Sequence, residues 1–201
     1  MHYDLYFKNE VLVTRNNVFE LFDKHKVFVV GYGSLLYAKG WRNRYMKHVV
    51  KPKHLKECVV NGYERGPFGA VNGVHFYGAI PESDKQLNGA LVRMWGPEDW
   101  VGLMETELIA GMFYNYNYRV VDITDQVSGV KLPKKAVVHM VVNEPQNRNV
   151  PDTNWAFPNY YERVWRGINK ERSPEFVEEF LTTGGYAPKD FIKFKQVKHY
   201  Y

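Results

Sequence analysis

Val27-Phe28-Val29-Val30-Gly31-Tyr32-Gly33-Ser34-Leu35-Leu36 is the stretch on which the reading of this chain turns. Its first four residues are apolar, three of them valine, which reads as a strand buried on both faces. Two glycines two apart follow. They let the chain turn where a Cβ would clash and bring backbone N–H groups close to whatever lies at the strand's end. Such a turn can cradle an anion with unpaired amides. Leu36 stands where a dinucleotide fingerprint needs its third glycine, and the same leucine breaks the G-x-S-x-G nucleophile elbow.

Outward from this stretch, the totals narrow the class. A chain of 201 residues allows one sizeable core and is short for two. An apolar fraction of 45% is that of a globular protein, and 16% aromatics suit a core or cleft lined with rings. No apolar run nears the ~20 residues that span a bilayer, and Met1-His2-Tyr3-Asp4 does not open like a signal peptide. The single Cys58 cannot form an internal disulfide, so a reducing, cytoplasmic location is expected and no membrane partner. The net charge of +5 raises nucleic acid, but the Lys and Arg are scattered and no binding module is recognisable. No nucleic-acid partner is expected; a modest positive field favouring small anions is. The 7 histidines form no HExxH or Cys/His cluster, so no metal is expected.

Local patterns place the elements. Val11-Leu12-Val13 reads as an edge strand, and Asn17 with Glu20 as a capping box opening a short helix. Gly40 to Pro52 reads as a loop or short helix carrying Trp41, Arg42 and Arg44. Residues 57–63 form a strand ending at Gly62, 65–69 a turn, 74–80 a strand, 81–88 a polar hairpin loop and 89–94 a further strand. Gly96-Pro97 with Glu98 and Asp99 starts a helix, proline in its first turn and acids at its positive end. Trp100, Leu103, Met104, Leu108 and Gly111 then share one stripe, and Glu107 falls on it while Glu105 points to solvent. An inward carboxylate must be paired, hydrogen-bonded or protonated. It is either a glutamate held by a Tyr or Arg, or a group with chemistry to do; the pattern leaves both open. Strands are expected at 118–123 and 135–142, the latter with Ala136, Val138, Met140 and Val142 on one face. Residues 144–158 read as a surface loop. Helices follow with Tyr160, Val164 and Ile168 aligned on one and Ser173-Pro174-Glu175 opening the next. The alternation in 189–201 suits an amphipathic closing strand better than a nucleic-acid arm.

Tyr32-Gly33-Ser34-Leu35-Leu36 resembles the Y-G-S/T-x-L signature of the γ-glutamylcyclotransferase family. Leu103-Met104-Glu105-Thr106-Glu107 is similar to that family's L-D-x-x-E run, and Gly111-Met112-Phe113-Tyr114 to its following G-x-Y. The strand from Tyr118 and the helical ending follow in the family's order, so the resemblance runs from about Val27 to Leu181. Three departures stand out. Leu108 replaces the glycine after the family's catalytic glutamate, Asn143 replaces a tyrosine, and residues 1–26 form an N-terminal extension ahead of a single domain at 27–201. The resemblance implies an α+β fold, a small mixed β-barrel with helices packed around it. It implies a cyclotransferase that converts a γ-glutamyl amine, γ-glutamyl amino acid or glutathione to 5-oxoproline and a released amine, without metal or cofactor. Glu107 would be the general acid/base. Backbone amides at Tyr32, Gly33, Ser34 and Leu35 would hold the substrate α-carboxylate, and Tyr160 or Tyr161 would position it. A monomer or weak dimer is expected. The alternatives are a protein that binds γ-glutamyl-like molecules without turnover, and a nucleic-acid-associated accessory protein.

Overall fold

The computed structural model describes residues 18–42, 44–71, 74–114, 118–143, 155–156, 160–193 and 195–196. The edge strand expected at 11–13 and most of the 144–158 loop lie outside these. In chain order the regular elements are α1 (Val18–Lys24), β1 (Lys26–Gly31), β2 (Lys56–Val71), β3 (Val74–Arg93), α2 (Pro97–Tyr114), β4 (Tyr118–Asp122), β5 (Val127–Ser128), β6 (Ala136–Asn143), β7 (Trp155–Ala156), α3 (Tyr160–Glu171), α4 (Pro174–Thr182) and β8 (Lys195–Gln196). The strands form one sheet ordered β4-β6-β1-β3-β2-β5, with β7 pairing both β3 and β8.

The sheet is mixed because its central strand, β1, runs parallel to β6 and antiparallel to β3. It curls into a half-barrel with the helices packed around it, the α+β architecture that the resemblance implies. Both faces are covered. Val27 and Val29 of β1 join a core under the helices with Trp100, Leu103, Met104, Val164, Ile168 and Phe180. Val30 faces the second core inside the half-barrel, with Val60, Leu87, Ile123 and Met140. The valine-rich run is therefore a two-face buried strand, as its composition requires. β6 places Val138, Met140 and Val142 on one face, as expected, but its other face is buried as well. Next to β1 it too is covered on both sides, and Val137 to Asn143 are all buried.

The largest correction lies in β2 and β3. The expected strand end at Gly62, the turn at 65–69 and the hairpin loop at 81–88 are all strand, in one long antiparallel ribbon. Turn-forming residues are absorbed as irregularities of the ladder. Pairing passes from Tyr63↔Pro81 to Asn61↔Gln86, so residues 82–85 stand outside the ladder opposite Gly62, whose φ is +80°. A second shift at Gly66/Gly69 accommodates Pro67. Cross-strand hydrogen bonds and the full burial of Leu87 and Asn88 outweigh the local turn chemistry.

Part of the expected N-terminal extension is built into the body. α1 buries Val18 completely and packs on α2 and β1. At the other end Ser173 caps α4, its Oγ accepting from the Phe176 N–H at 3.1 Å. In the tail, Lys195–Gln196 pair parallel with β7. No helix among the described residues is long and apolar enough to cross a membrane.

Candidate active site

The turn after β1 is braced from three sides. Leu36 N–H donates to Gly33 O at 3.0 Å, the Trp41 indole donates to Leu35 O at 2.8 Å, and Ala38 N–H donates to Glu171 Oε2 of α3 at 2.7 Å. The Leu35 and Leu36 side chains are sunk in the core and leave the backbone of the turn at the surface of a cleft. A side chain at Gly33 would be crowded: a Cβ would lie 3.0 Å from the Tyr160 hydroxyl and 3.1 Å from Tyr77 Cβ. The cleft has a volume of about 470 Å3, and Tyr32, Gly33, Ser34 and Leu35 form one wall. That size suits a small molecule.

The opposite wall is α2. Trp100, Leu103 and Met104 are buried and fix the helix against β1 and β6, and Glu107, one turn further on, reaches the cleft. Glu105 is half-buried as well and does not line the cleft, so the two carboxylates differ in direction and not, as expected, in exposure. The start of the helix is tied down by Trp100, whose indole N–H donates to His139 Nδ1 at 2.9 Å. His139 is fully buried on β6, and burial pushes its pKa down to about 4, with the Asp122 carboxylate acting in the other direction. It is held as the neutral tautomer that accepts at Nδ1.

Arg44 was not singled out by any motif, yet it joins the two walls. Its Nε lies 2.6 Å from Glu107 Oε1, and its Nη2 donates to Ser34 Oγ at 3.2 Å. The Nε–H does not point along the short contact, so the link to Glu107 is an ion pair rather than a directed hydrogen bond. The segment that carries Arg44 is clamped to α2. Gly102 lets the Tyr45 carbonyl approach where a Cβ would collide. Tyr45 N–H donates to Thr106 Oγ1 at 3.4 Å, and the Lys47 and His48 amides donate to Asp99 Oδ1 at 2.7 and 3.1 Å. Asp99 Oδ2 meets His48 Nδ1 at 2.6 Å, and the carboxylate is 2% exposed. Read as a helix-start acid, Asp99 is also a clamp on the segment that sets Arg44 beside Glu107. The sequence signal was two arginines, Arg42 and Arg44, soon after the signature; local pattern could not say which faces inward.

Of the adjacent tyrosines, Tyr160 lines the cleft and Tyr161 does not. Tyr161 is 3% exposed and packs edge-on to Tyr77 and Tyr186, at 4.8 and 5.1 Å between ring centroids. Burial raises the Tyr160 pKa, the Glu107 carboxylate adds to this, and backbone hydrogen bonds from Tyr77 and Ser34 oppose it, as does Arg44. Burial likewise holds the Tyr32 hydroxyl well above the usual phenol range, followed by Tyr118, Glu107 and Tyr160. Both remain neutral hydroxyls, able to donate. Lys39, Arg44 and Arg163 line the cleft against the one carboxylate of Glu107, a balance that attracts anions. Among the described residues no group of three His, Cys, Asp or Glu is placed to hold a metal ion.

No protein-family model and no curated protein matches the sequence. Among solved structures the chain is similar to a gamma-glutamyl cyclotransferase at TM-score 0.50 and 13% identity, covering 81% of this chain and 90% of that one. The chain has the γ-glutamylcyclotransferase-like fold. It is also similar to YkqA from Bacillus subtilis, at TM-score 0.50 and 16% identity over 84% of this chain, and it spans 57% of that protein's length.

In this γ-glutamylcyclotransferase-like fold the cleft lies between the turn after β1 and α2. It brings together Tyr32, Gly33, Ser34, Leu35, Glu107 and Tyr160, residues that are far apart in the sequence, and leaves Tyr161 in the core. To these it adds Arg44 and Tyr77, which no local motif marked, and Tyr118, the first residue of the strand that resembles the family's. A carboxylate, a guanidinium, neutral phenols and a backbone turn around one small cleft are suited to anion binding and proton transfer.

Proposed function

We propose that the chain is a 5-oxoproline-forming cyclotransferase acting on a γ-glutamyl compound. The observation that carries this reading is Glu107 facing the Tyr32–Leu35 turn across one small, net-positive cleft. The substrate's α-amino nitrogen attacks its own γ-carbonyl carbon, closing a five-membered lactam. The bond from that carbon to the leaving nitrogen breaks. The α-ammonium loses two protons on its way to the lactam N–H; Glu107 takes them in turn and passes them to the leaving nitrogen, which departs as an ammonium, so no net proton is consumed. The Tyr32 and Tyr160 hydroxyls, neutral at working pH, donate to the carbonyl oxygen as it gains charge. The turn backbone and its cations hold the α-carboxylate. Incubation with a panel of γ-glutamyl amines, γ-glutamyl amino acids and glutathione, read for 5-oxoproline by mass spectrometry, tests this. Release from one class in a Glu107-dependent manner is the expected result, and no release from any class refutes it.

One observation favours a second reading, a binding protein without turnover. Glu107 Oε1 is already engaged by Arg44 at 2.6 Å, the arrangement of a carboxylate held for structure. Binding of several γ-glutamyl compounds with turnover of none would decide for it.

A further inference from the structure

We infer that Arg44 is the ligand for the substrate's α-carboxylate, and that it exchanges partners with Glu107 when an α-amino acid head group enters the cleft. The inference rests on the cyclotransferase reading for the identity of the substrate, and on the geometry of Arg44 for the rest.

Arg44 lies between the two groups that the substrate must meet. One edge of its guanidinium is on Glu107 Oε1 at 2.6 Å and another on Ser34 Oγ at 3.2 Å, in the turn expected to hold the carboxylate. The side chains of the pair are 16% and 23% exposed, so the charges are partly desolvated and each depends on the other. Part of the turn's donor capacity is already engaged. The Leu36 amide is spent on Gly33 O, and the Ser34 backbone bonds to the Tyr160 hydroxyl. A charged, planar donor beside it adds to the remaining amides, because a guanidinium offers a carboxylate two parallel N–H groups.

The exchange follows from charge. An α-amino acid head carries an ammonium and a carboxylate on one carbon. With the carboxylate on Arg44 and the ammonium on Glu107, one ion pair is replaced by two, and neither protein charge is left partly buried without a partner. The same exchange puts on Glu107 the nitrogen whose proton it must take. A molecule with only one of the two groups gains less. The site would therefore read the zwitterion, and Glu107 would be released as a base only when the correct head group is bound.

The test compares ligands that differ only in the carboxylate. Wild type, Arg44→Met, Arg44→Lys and Glu107→Gln are titrated by NMR with 5-oxoproline and with 2-pyrrolidinone, the same ring without the carboxylate. Thermal unfolding checks that each variant is folded. Wild type is expected to prefer 5-oxoproline by at least about tenfold, Arg44→Met to lose that preference and Arg44→Lys to keep part of it. Glu107→Gln frees Arg44 and is expected to bind 5-oxoproline several-fold tighter than wild type. A purely structural Arg44 predicts instead no carboxylate preference and no gain in Glu107→Gln. In turnover, γ-glutamyl-alanine is compared with 4-aminobutyryl-alanine, which lacks the α-carboxylate. Arg44→Met is expected to raise KM for the first more than it lowers kcat. Equal binding of the two rings by wild type, or an Arg44→Met variant that keeps the preference, overturns the inference. Carboxylate preference that depends on Arg44 without turnover of any γ-glutamyl compound upholds it and refutes the proposed reaction alone.

Discussion

Acidification should loosen the helix that carries Glu107 through one residue, His139. Its imidazole is fully buried on β6 and accepts the Trp100 indole N–H of α2. Burial lowers its pKa from the ordinary 6.5 to about 4. Above pH 6.5 the imidazole is neutral in both the folded and the unfolded chain and nothing is lost. Between 6.5 and 4 the unfolded chain takes up a proton that the folded chain refuses, so stability falls as pH falls. The slope approaches ~1.4 kcal/mol per pH unit and the total by pH 4 is about 3 kcal/mol. This is a large share of the 5–15 kcal/mol, roughly, that holds a domain together. The assay is urea unfolding at half-unit pH steps from 7.5 to 4, for wild type and His139→Gln. Glutamine can still accept from the indole but does not titrate. The variant is expected to be flatter than wild type by about 3 kcal/mol across that range, whatever its offset at pH 7. Common slopes in both proteins, or a His139 ring signal titrating near 6.5 in the folded state, would refute the reasoning.

Other expectations concern the cleft itself. Glu107→Gln should lose on the order of 10²–10⁴ in kcat while still binding substrate, measured by steady-state kinetics and titration, since it keeps the shape but cannot take the proton. Gly33→Val should abolish binding in a chain that remains folded by circular dichroism, because its Cβ already meets Tyr160 and Tyr77 and the added methyls have nowhere to go. Ser34→Ala removes only the hydroxyl that accepts from Arg44 and should weaken binding by about tenfold or less; a covalent adduct at Ser34 would instead show a nucleophile. Asp99→Ala orphans the Lys47 and His48 amides and should cost about 1–3 kcal/mol by chemical denaturation. It should also raise KM as Arg44 loses its support.

Much of the fold was legible in local sequence because its physics is local. The four apolar residues of β1, the proline and acids opening α2 and the serine capping α4 act within a few positions, and each element formed where they put it. The stripe through Trp100, Leu103 and Met104 likewise carried Glu107 toward the interior, since helical spacing fixes direction. Three things needed the assembled chain. The β2–β3 ribbon runs through glycines and prolines because its two strands, adjacent in sequence, pair residues 12 to 25 positions apart at these points (Gly66↔Gly78, Tyr63↔Pro81, Asn61↔Gln86), beyond the reach of a local turn pattern. Tyr160 and Tyr161 sit one helical step apart, and packing of Tyr161 on Tyr77 and Tyr186 decides which of them faces the cleft. Arg44 lies 63 residues from Glu107 and meets it only because Asp99 and Gly102 draw the intervening segment onto α2. The sequence by itself determined the strand β1, the starts of α2 and α4, and which carboxylate turns to the cleft. The partner that carboxylate meets was decided by tertiary structure, because ion pairs between distant segments depend on where the chain returns and not on its local pattern.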